Sequence, residues 1–224
     1  NIWRAPTDND RHVRLEWERA HYHQAAARAY GVEVDEGSGC VTVRAEVAMV
    51  APSIQPVLRG ETAWTIWDDG EVDLRLAVRR AEGFPSLPRL GLRLFLPEAM
   101  RQVSYYGLGP LESYADKRRA SWHGEFADDV EAFHEDCIRP QENGSRADCE
   151  YVTVTGGGLG LTCVGRRPFS FNVSQYTQEE LARRRHSTEL RRCGSTVLCL
   201  DAAMAGIGSN SCGPALRPRY QVDS

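Results

Sequence analysis

The sequence predicts an all-β fold, a large antiparallel β-sandwich with one or two short helices. Three observations carry that expectation. Apolar and polar residues alternate along several stretches, the period of a strand with one buried face. Turn signals such as Asp68-Asp69-Gly70 and Gly156-Gly157-Gly158 separate those stretches. Helical character is confined to two segments, which is the pattern of a sandwich rather than of an α/β fold.

The first helix is expected over Arg14 to Ala29, where Leu15, Ala20, Ala26 and Ala27 occur without Gly or Pro. Gly31 then stands where a left-handed C-terminal cap would sit. Val41, Val43, Ala45 and Val47 alternate with polar residues and predict a strand. Thr62 to Trp67 and the run Val72, Leu74, Leu76, Val78 predict a hairpin across the Asp-Gly turn. Leu90, Leu92, Leu94 and Leu96 repeat the alternation. Tyr151 to Val154 and Leu159 to Val164 flank the triple glycine as another hairpin, and Phe169 to Val173, Val197 to Leu200 and Arg217 to Val222 supply later strands. The second helix opens on Thr177-Gln178-Glu179-Glu180, a capping box, and is expected to run to Arg185. No internal repeat or low-complexity linker divides the chain, so a single domain over 1–224 is expected.

With 224 residues the chain can bury a sizeable core. Its formal net charge of -4 argues against a general nucleic-acid binder. No apolar run reaches the roughly 18 residues of a membrane span. Seven cysteines, an odd number without a C-x-x-C pair, predict reduced thiols and a cytoplasmic setting rather than a disulfide framework. Asn143-Gly144-Ser145 and Asn172-Val173-Ser174 match the glycosylation pattern, which is common by chance.

Five motifs stand in order along the chain. They are Trp3-Arg4-Ala5-Pro6-Thr7-Asp8-Asn9-Asp10, then Tyr105 to Arg118, then Pro140-Gln141-Glu142-Asn143-Gly144. Phe169-Ser170-Phe171-Asn172 with Tyr176 to Leu181 is the fourth, and Gly206-Ile207-Gly208 with Gly213-Pro214 the fifth. Over essentially its whole length the chain therefore resembles the carboxy-terminal β-sandwich domain of large bacterial β-galactosidases of glycoside hydrolase family 2.

The resemblance implies a galactose mutarotase-like supersandwich whose first strands lie upstream, which would leave a sheet edge unpaired. Asn1 begins in mid-motif rather than with a signal peptide, as expected of an excised piece. A retaining glycosidase needs two carboxylates about 5 Å apart, and in the resembling enzymes both lie on a preceding (β/α)₈ barrel. Such a barrel takes about 250 residues, so the chain by itself is expected to be catalytically silent. The parent would hydrolyse terminal β-D-galactosides through a covalent galactosyl intermediate. The magnesium and sodium those enzymes use are expected outside this domain. The expected partners are the β-galactoside, the upstream barrel and further copies in an oligomer, with neither nucleic acid nor membrane.

Two segments are the candidate substrate-binding residues. Asp8, Asn9 and Asp10 form a polar turn that in the family approaches the barrel mouth, with loop shaping favoured over direct sugar contact. The mobile stretch that follows it in the family is abbreviated here to Arg11-His12-Val13-Arg14. Asn210 and Cys212 lie where the best-studied branch carries an aspartate-serine-tryptophan run. Cys212 occupies the tryptophan position, and a thiol offers no indole face to a pyranose, so a different aglycone or weaker binding there is expected. No metal site is assigned; His21 and His23, two apart on the predicted helix, face different directions. Glu112, Asp116 and Glu142 read as structural acids that fix turns.

Two alternatives belong to other classes. A mutarotase-like epimerase would need a histidine and a carboxylate to converge, with His123 and Glu142 as the testable pair. A stand-alone carbohydrate-binding module would need an exposed aromatic platform, with Trp64, Trp67 and Trp122 as candidates. Trp64 and Trp67 are three apart on a predicted strand and so face opposite sides.

Overall fold

A computed structural model of the chain describes residues 1–52, 55–208 and 211–222. The fold is all-β, and it divides into two compact units, Glu16–Ser86, and Asn1–Leu15 with Leu87–Val222.

The first helix, α1 (Val13–Arg19), leads into the smaller unit. Within that unit the buried Trp17 donates from its indole to the Ser86 carbonyl at 3.0 Å, and Tyr22 donates its hydroxyl to the Pro85 carbonyl at 2.6 Å. Four strands then run as an antiparallel meander in sheet order: β1 (Ala26–Gly37), β2 (Cys40–Val50), β3 (Leu58–Trp67) and β4 (Val72–Arg80). The β3–β4 hairpin turns at Asp68-Asp69-Gly70 as the sequence predicts, with Gly70 at φ +91°.

The helix predicted to Ala29 ends ten residues earlier. His21 takes a left-handed conformation, φ 54°, and Ala26 to Gly37 pair with β2. Alanine favours helix by only tenths of a kcal/mol per residue, and a continuous strand ladder outweighs that preference. Gly31 is therefore no helix cap. It sits at φ +52° in a bulge of β1 between Tyr30 and Val32, where the register with β2 shifts. His21 and His23 do not diverge from an α-helix either; they lie at a 3-10 turn with their rings stacked, centroids 6.0 Å apart. On β3, Trp64 is half-buried and Trp67 exposed, as their opposite facing requires.

In the larger unit six strands form one antiparallel sheet. They are β5 (Arg89–Pro97), β6 (Gln102–Gly109), β7 (Trp122–Asp129), β8 (Arg146–Gly156), β9 (Leu159–Ser174) and β10 (Ser195–Met204), in the order β5-β10-β9-β8-β6-β7. The alternation on β8 and β9 sends Val152, Val154, Phe171 and Val173 into one core with Tyr105 and Leu198, all nearly or fully buried. The second helix, α2 (Gln178–Arg183), stops two residues short of the expected end. Half of its capping box forms: Thr177 Oγ1 accepts from the Glu180 amide at 3.1 Å. The Glu180 carboxylate turns instead to Arg184 Nε at 2.7 Å and to the Arg191 amide at 2.9 Å. A charge-assisted partner outcompetes the reach back to the cap. Arg217 to Val222 is not a strand. Pro218 opens a 3-10 turn over Pro218–Tyr220, and a single bridge joins Leu87 to Val222, because proline cannot donate to a ladder.

The core sets a first test. Leu198→Ala is expected to cost about 2–5 kcal/mol in urea unfolding, and a loss well under 1 kcal/mol would mean that this core is loosely packed.

Candidate functional site

The candidate loop of the larger unit is organised by one buried guanidinium. Arg4 lies in an otherwise apolar run, Ile2-Trp3-Arg4-Ala5, and is 1% exposed. A charge so placed must be paired. Its Nε and Nη2 form a fork on the Asp10 carboxylate at 3.2 and 2.8 Å, while Nη1 and Nη2 donate to the Ala205 and Gly206 carbonyls at 2.8 and 3.0 Å. Asp10 also accepts from the Thr7 amide at 2.8 Å, and its own amide returns to the Thr7 carbonyl at 3.0 Å. The turn Asp8–Asp10 is thus closed from inside.

That closure puts Asp8 and Asn9 at the tip. Asn9 donates from Nδ2 to the Ile207 carbonyl at 2.8 Å. Asp8 is exposed and exchanges two hydrogen bonds with Gln141, at 3.0 and 3.1 Å. From the other side Asp116 accepts from the amides of Ile207 and Gly208 at 3.0 and 2.7 Å. The two segments singled out in the sequence are therefore tied together up to Gly208. Asp10 acts as a positioning residue, since its buried carboxylate is occupied by Arg4 and Thr7. Cys212 carries an exposed free thiol, and Asn210 lies outside the described residues.

The motif acids each hold a turn. Glu112 accepts from the Gly144 amide at 2.8 Å and pairs with Lys117. Gly144 has φ +74°, and a Cβ there would fall 2.0 Å from the Phe133 carbonyl oxygen, so no other residue fits. Glu142 belongs to a second buried cluster. Arg89, at the start of β5, forks onto Asp201 of β10 through Nε at 2.9 Å and through Nη2, and reaches Glu142 more loosely at 3.4 Å through Nη1. The bulge of β10 after Asp201 lies opposite the start of β5 and aims this carboxylate at the arginine. Burial pushes the Glu142 carboxyl up to about 7 against the opposing charges of Arg89 and Arg4. Its Oε1 is buried without a hydrogen-bond partner.

With a side chain 2% exposed, Glu142 cannot reach a sugar in solution. His123 is exposed on β7, with Nε2 4.0 Å from Asp148. The pairing that an epimerase would need is not formed. Trp122 is exposed and packs edge-on against Phe126. Among the described residues no group of three or more His, Cys, Asp and Glu side chains could hold a metal ion, and no helix is long and apolar enough to cross a membrane.

The roles of Arg4, Arg89 and Asp201 were not drawn from the sequence. The available signal was a charged residue inside an apolar run, which demands a buried counter-charge without naming it.

Comparison with known proteins agrees with the family resemblance. A family model described as beta galactosidase small chain matches residues 1–224. The chain is 40% identical over 222 residues to a beta-galactosidase of Actinobacillus pleuropneumoniae, covering 99% of this chain and 22% of that protein. It is 37% identical over 224 residues to one of Staphylococcus xylosus, covering 100% and 22%, and 30% identical over 234 residues to one of Kluyveromyces lactis, covering 99% and 22%. It thus spans about a fifth of the length of these relatives.

Two tests follow from the buried charges. Asp10→Ala takes the counter-charge from the buried Arg4 guanidinium and is expected to cost about 3–5 kcal/mol in chemical unfolding; a loss under about 1 kcal/mol would refute the clamp. For Glu142, the folded state holds its proton between the ordinary carboxyl value of 4.5 and about 7, where the unfolded state has lost it. Its contribution is full below that range and lost as pH rises through about 7. The stability difference between wild type and Glu142→Gln should fall with pH across that window and flatten above it. A difference flat throughout would contradict the raised value.

Proposed function

This chain belongs to the beta-galactosidase small chain family, and we propose that it is the non-catalytic carboxy-terminal domain of a longer, retaining β-galactosidase of glycoside hydrolase family 2. In that role it lines the active-site cleft and shapes aglycone preference. The observation that carries this reading is the tie between the Asp8–Asp10 turn and the segment that precedes Cys212, made by Asn9 on the Ile207 carbonyl and by Arg4 on Ala205 and Gly206. Loops held to one another by buried hydrogen bonds can present polar groups to a ligand at low entropic cost.

The chemistry belongs to the upstream barrel. One carboxylate there attacks the anomeric carbon while the other protonates the departing aglycone oxygen; water then releases galactose with retention. Asp8, Asn9, Asn210 and Cys212 act on what surrounds that centre. The exposed Asp8 carboxylate and the Asn9 amide border the opening, and Cys212 leaves the aglycone side without an aromatic floor. The magnesium and sodium of such enzymes bind outside this chain. The seven thiols, all free, support a reducing, cytoplasmic setting, and the full-length protein assembles as a homo-oligomer.

Hydrolysis of a chromogenic β-galactoside tests the division of labour. The 224-residue chain should give no turnover, and the full-length polypeptide should turn over. Turnover by the chain alone would overturn the proposal. In the full-length enzyme, Cys212→Trp should lower KM for a disaccharide galactoside about fivefold, the equivalent of about 1 kcal/mol of stacking, with little change for a small aglycone. An unchanged KM would remove Cys212 from the aglycone side.

A further inference from the structure

On the outer side of the Thr7–Asp10 turn lies a recess of about 170 Å³ lined by Pro6, Thr7, Asp8, Arg11, Arg14 and Arg139. Its lining is rich in arginine. Among the described residues Arg11, Arg14 and Arg139, like many other arginines of the chain, make no ion pair with a carboxylate. Three guanidiniums against the single Asp8 carboxylate leave two uncompensated positive charges in one small volume, although the chain as a whole is acidic.

Two polar atoms of the lining are also unsatisfied. Arg14 Nε and Thr7 Oγ1 are buried with no hydrogen-bond partner, and Thr7 is only 7% exposed. A buried donor left unmade costs about 1–3 kcal/mol. An acceptor entering the recess would remove that cost and the repulsion among the guanidiniums together.

From this we infer that the recess binds a phosphate-class oxyanion. Arg11, Arg14 and Arg139 supply forked N–H donors and Thr7 Oγ1 a hydroxyl donor. A carboxylate side chain has two oxygens and one charge, too few for this set. A phosphate carries about −1.5 to −2 at neutral pH with three or more acceptor oxygens, and guanidiniums match it bidentately. Asp8 opposes the anion from the rim, where Gln141 Nε2 holds its Oδ2 at 3.1 Å. The ligand is either free phosphate or a phosphate ester. Because Thr7 and Asp8 belong to both the recess and the turn, occupancy would stiffen the loop tip that carries Asn9. The inference stands independently of the activity of any longer enzyme.

Calorimetric titration of the intact polypeptide with inorganic phosphate, against chloride at matched ionic strength, tests it. Saturable one-site binding is expected, weakened at least about tenfold by Arg14→Gln and by Arg139→Gln, each loss worth about 1.4 kcal/mol or more. Asp8→Asn should tighten binding, a sign that a merely structural role for Asp8 would not give. A parallel titration with a hexose 6-phosphate separates the two sources: tighter binding than inorganic phosphate points to an ester, weaker binding to the free ion. Arg139 is exposed, so its substitution leaves the fold intact. Heat no greater than with chloride, or undiminished binding in both arginine variants, would overturn the assignment.

Discussion

Burying a guanidinium in an apolar segment is the constraint on which the site depends. Left unpaired, Arg4 would cost several kcal/mol, more than most single interactions in a protein contribute. The structure meets that demand by wrapping chain around the charge. Asp10 must fold back as a counter-ion, which makes the Thr7–Asp10 turn, and the carbonyls of Ala205 and Gly206 take two further N–H groups. Segments about 200 positions apart in sequence are thereby brought into one hydrogen-bonded unit. Asp116 then fixes the backbone just beyond, at Ile207 and Gly208.

The second buried cluster serves the sheet rather than the loop. Arg89 and Asp201 join β5 to β10 with a two-bonded fork in a fully buried setting. Glu142 is held beside them, so that the buried groups Arg4, Arg89, Asp10, Asp201 and Glu142 contain more carboxylates than guanidiniums. One carboxyl in such a set does best by keeping its proton, and Glu142 is the least well bonded of the three. Its motif anchors the loop through the Glu142 amide on the Ala5 carbonyl at 3.1 Å, next to Arg4. The rigid sheet, the buried charges and the exposed loop tip are thus successive layers of one support.

Local signals in the sequence were read well where local forces decide. The Asp-Gly and triple-glycine hairpins formed at the predicted residues, because those turns need backbone angles that few other residues adopt. The Thr177 cap formed because its donor lies three residues away. Ala26 and Ala27 misled because helix propensity is weak and the strand pairing that overrode it is set by residues 40–50, which a local window does not weigh. The strands β6 and β7 were passed over because glycines and charges interrupt their alternation. For the site, the motifs located the loops and the polar tip. The Arg4 fork, the Asn9 bond to Ile207 and the unpaired arginines of the recess depend on distant segments, and no spacing rule on one chain reveals them.

If the Arg4 clamp is what holds the two loops together, loosening it should be felt at the far loop and nowhere deep in the sheet. Amide hydrogen exchange at Ile207 and Gly208, compared between wild type and Asp10→Asn, measures this directly. The account predicts faster exchange at both amides while Val152 and Val154 in β8 stay as protected as before. Unchanged exchange at Ile207 and Gly208 would show that Asp116 holds that segment without the clamp and would contradict the central claim.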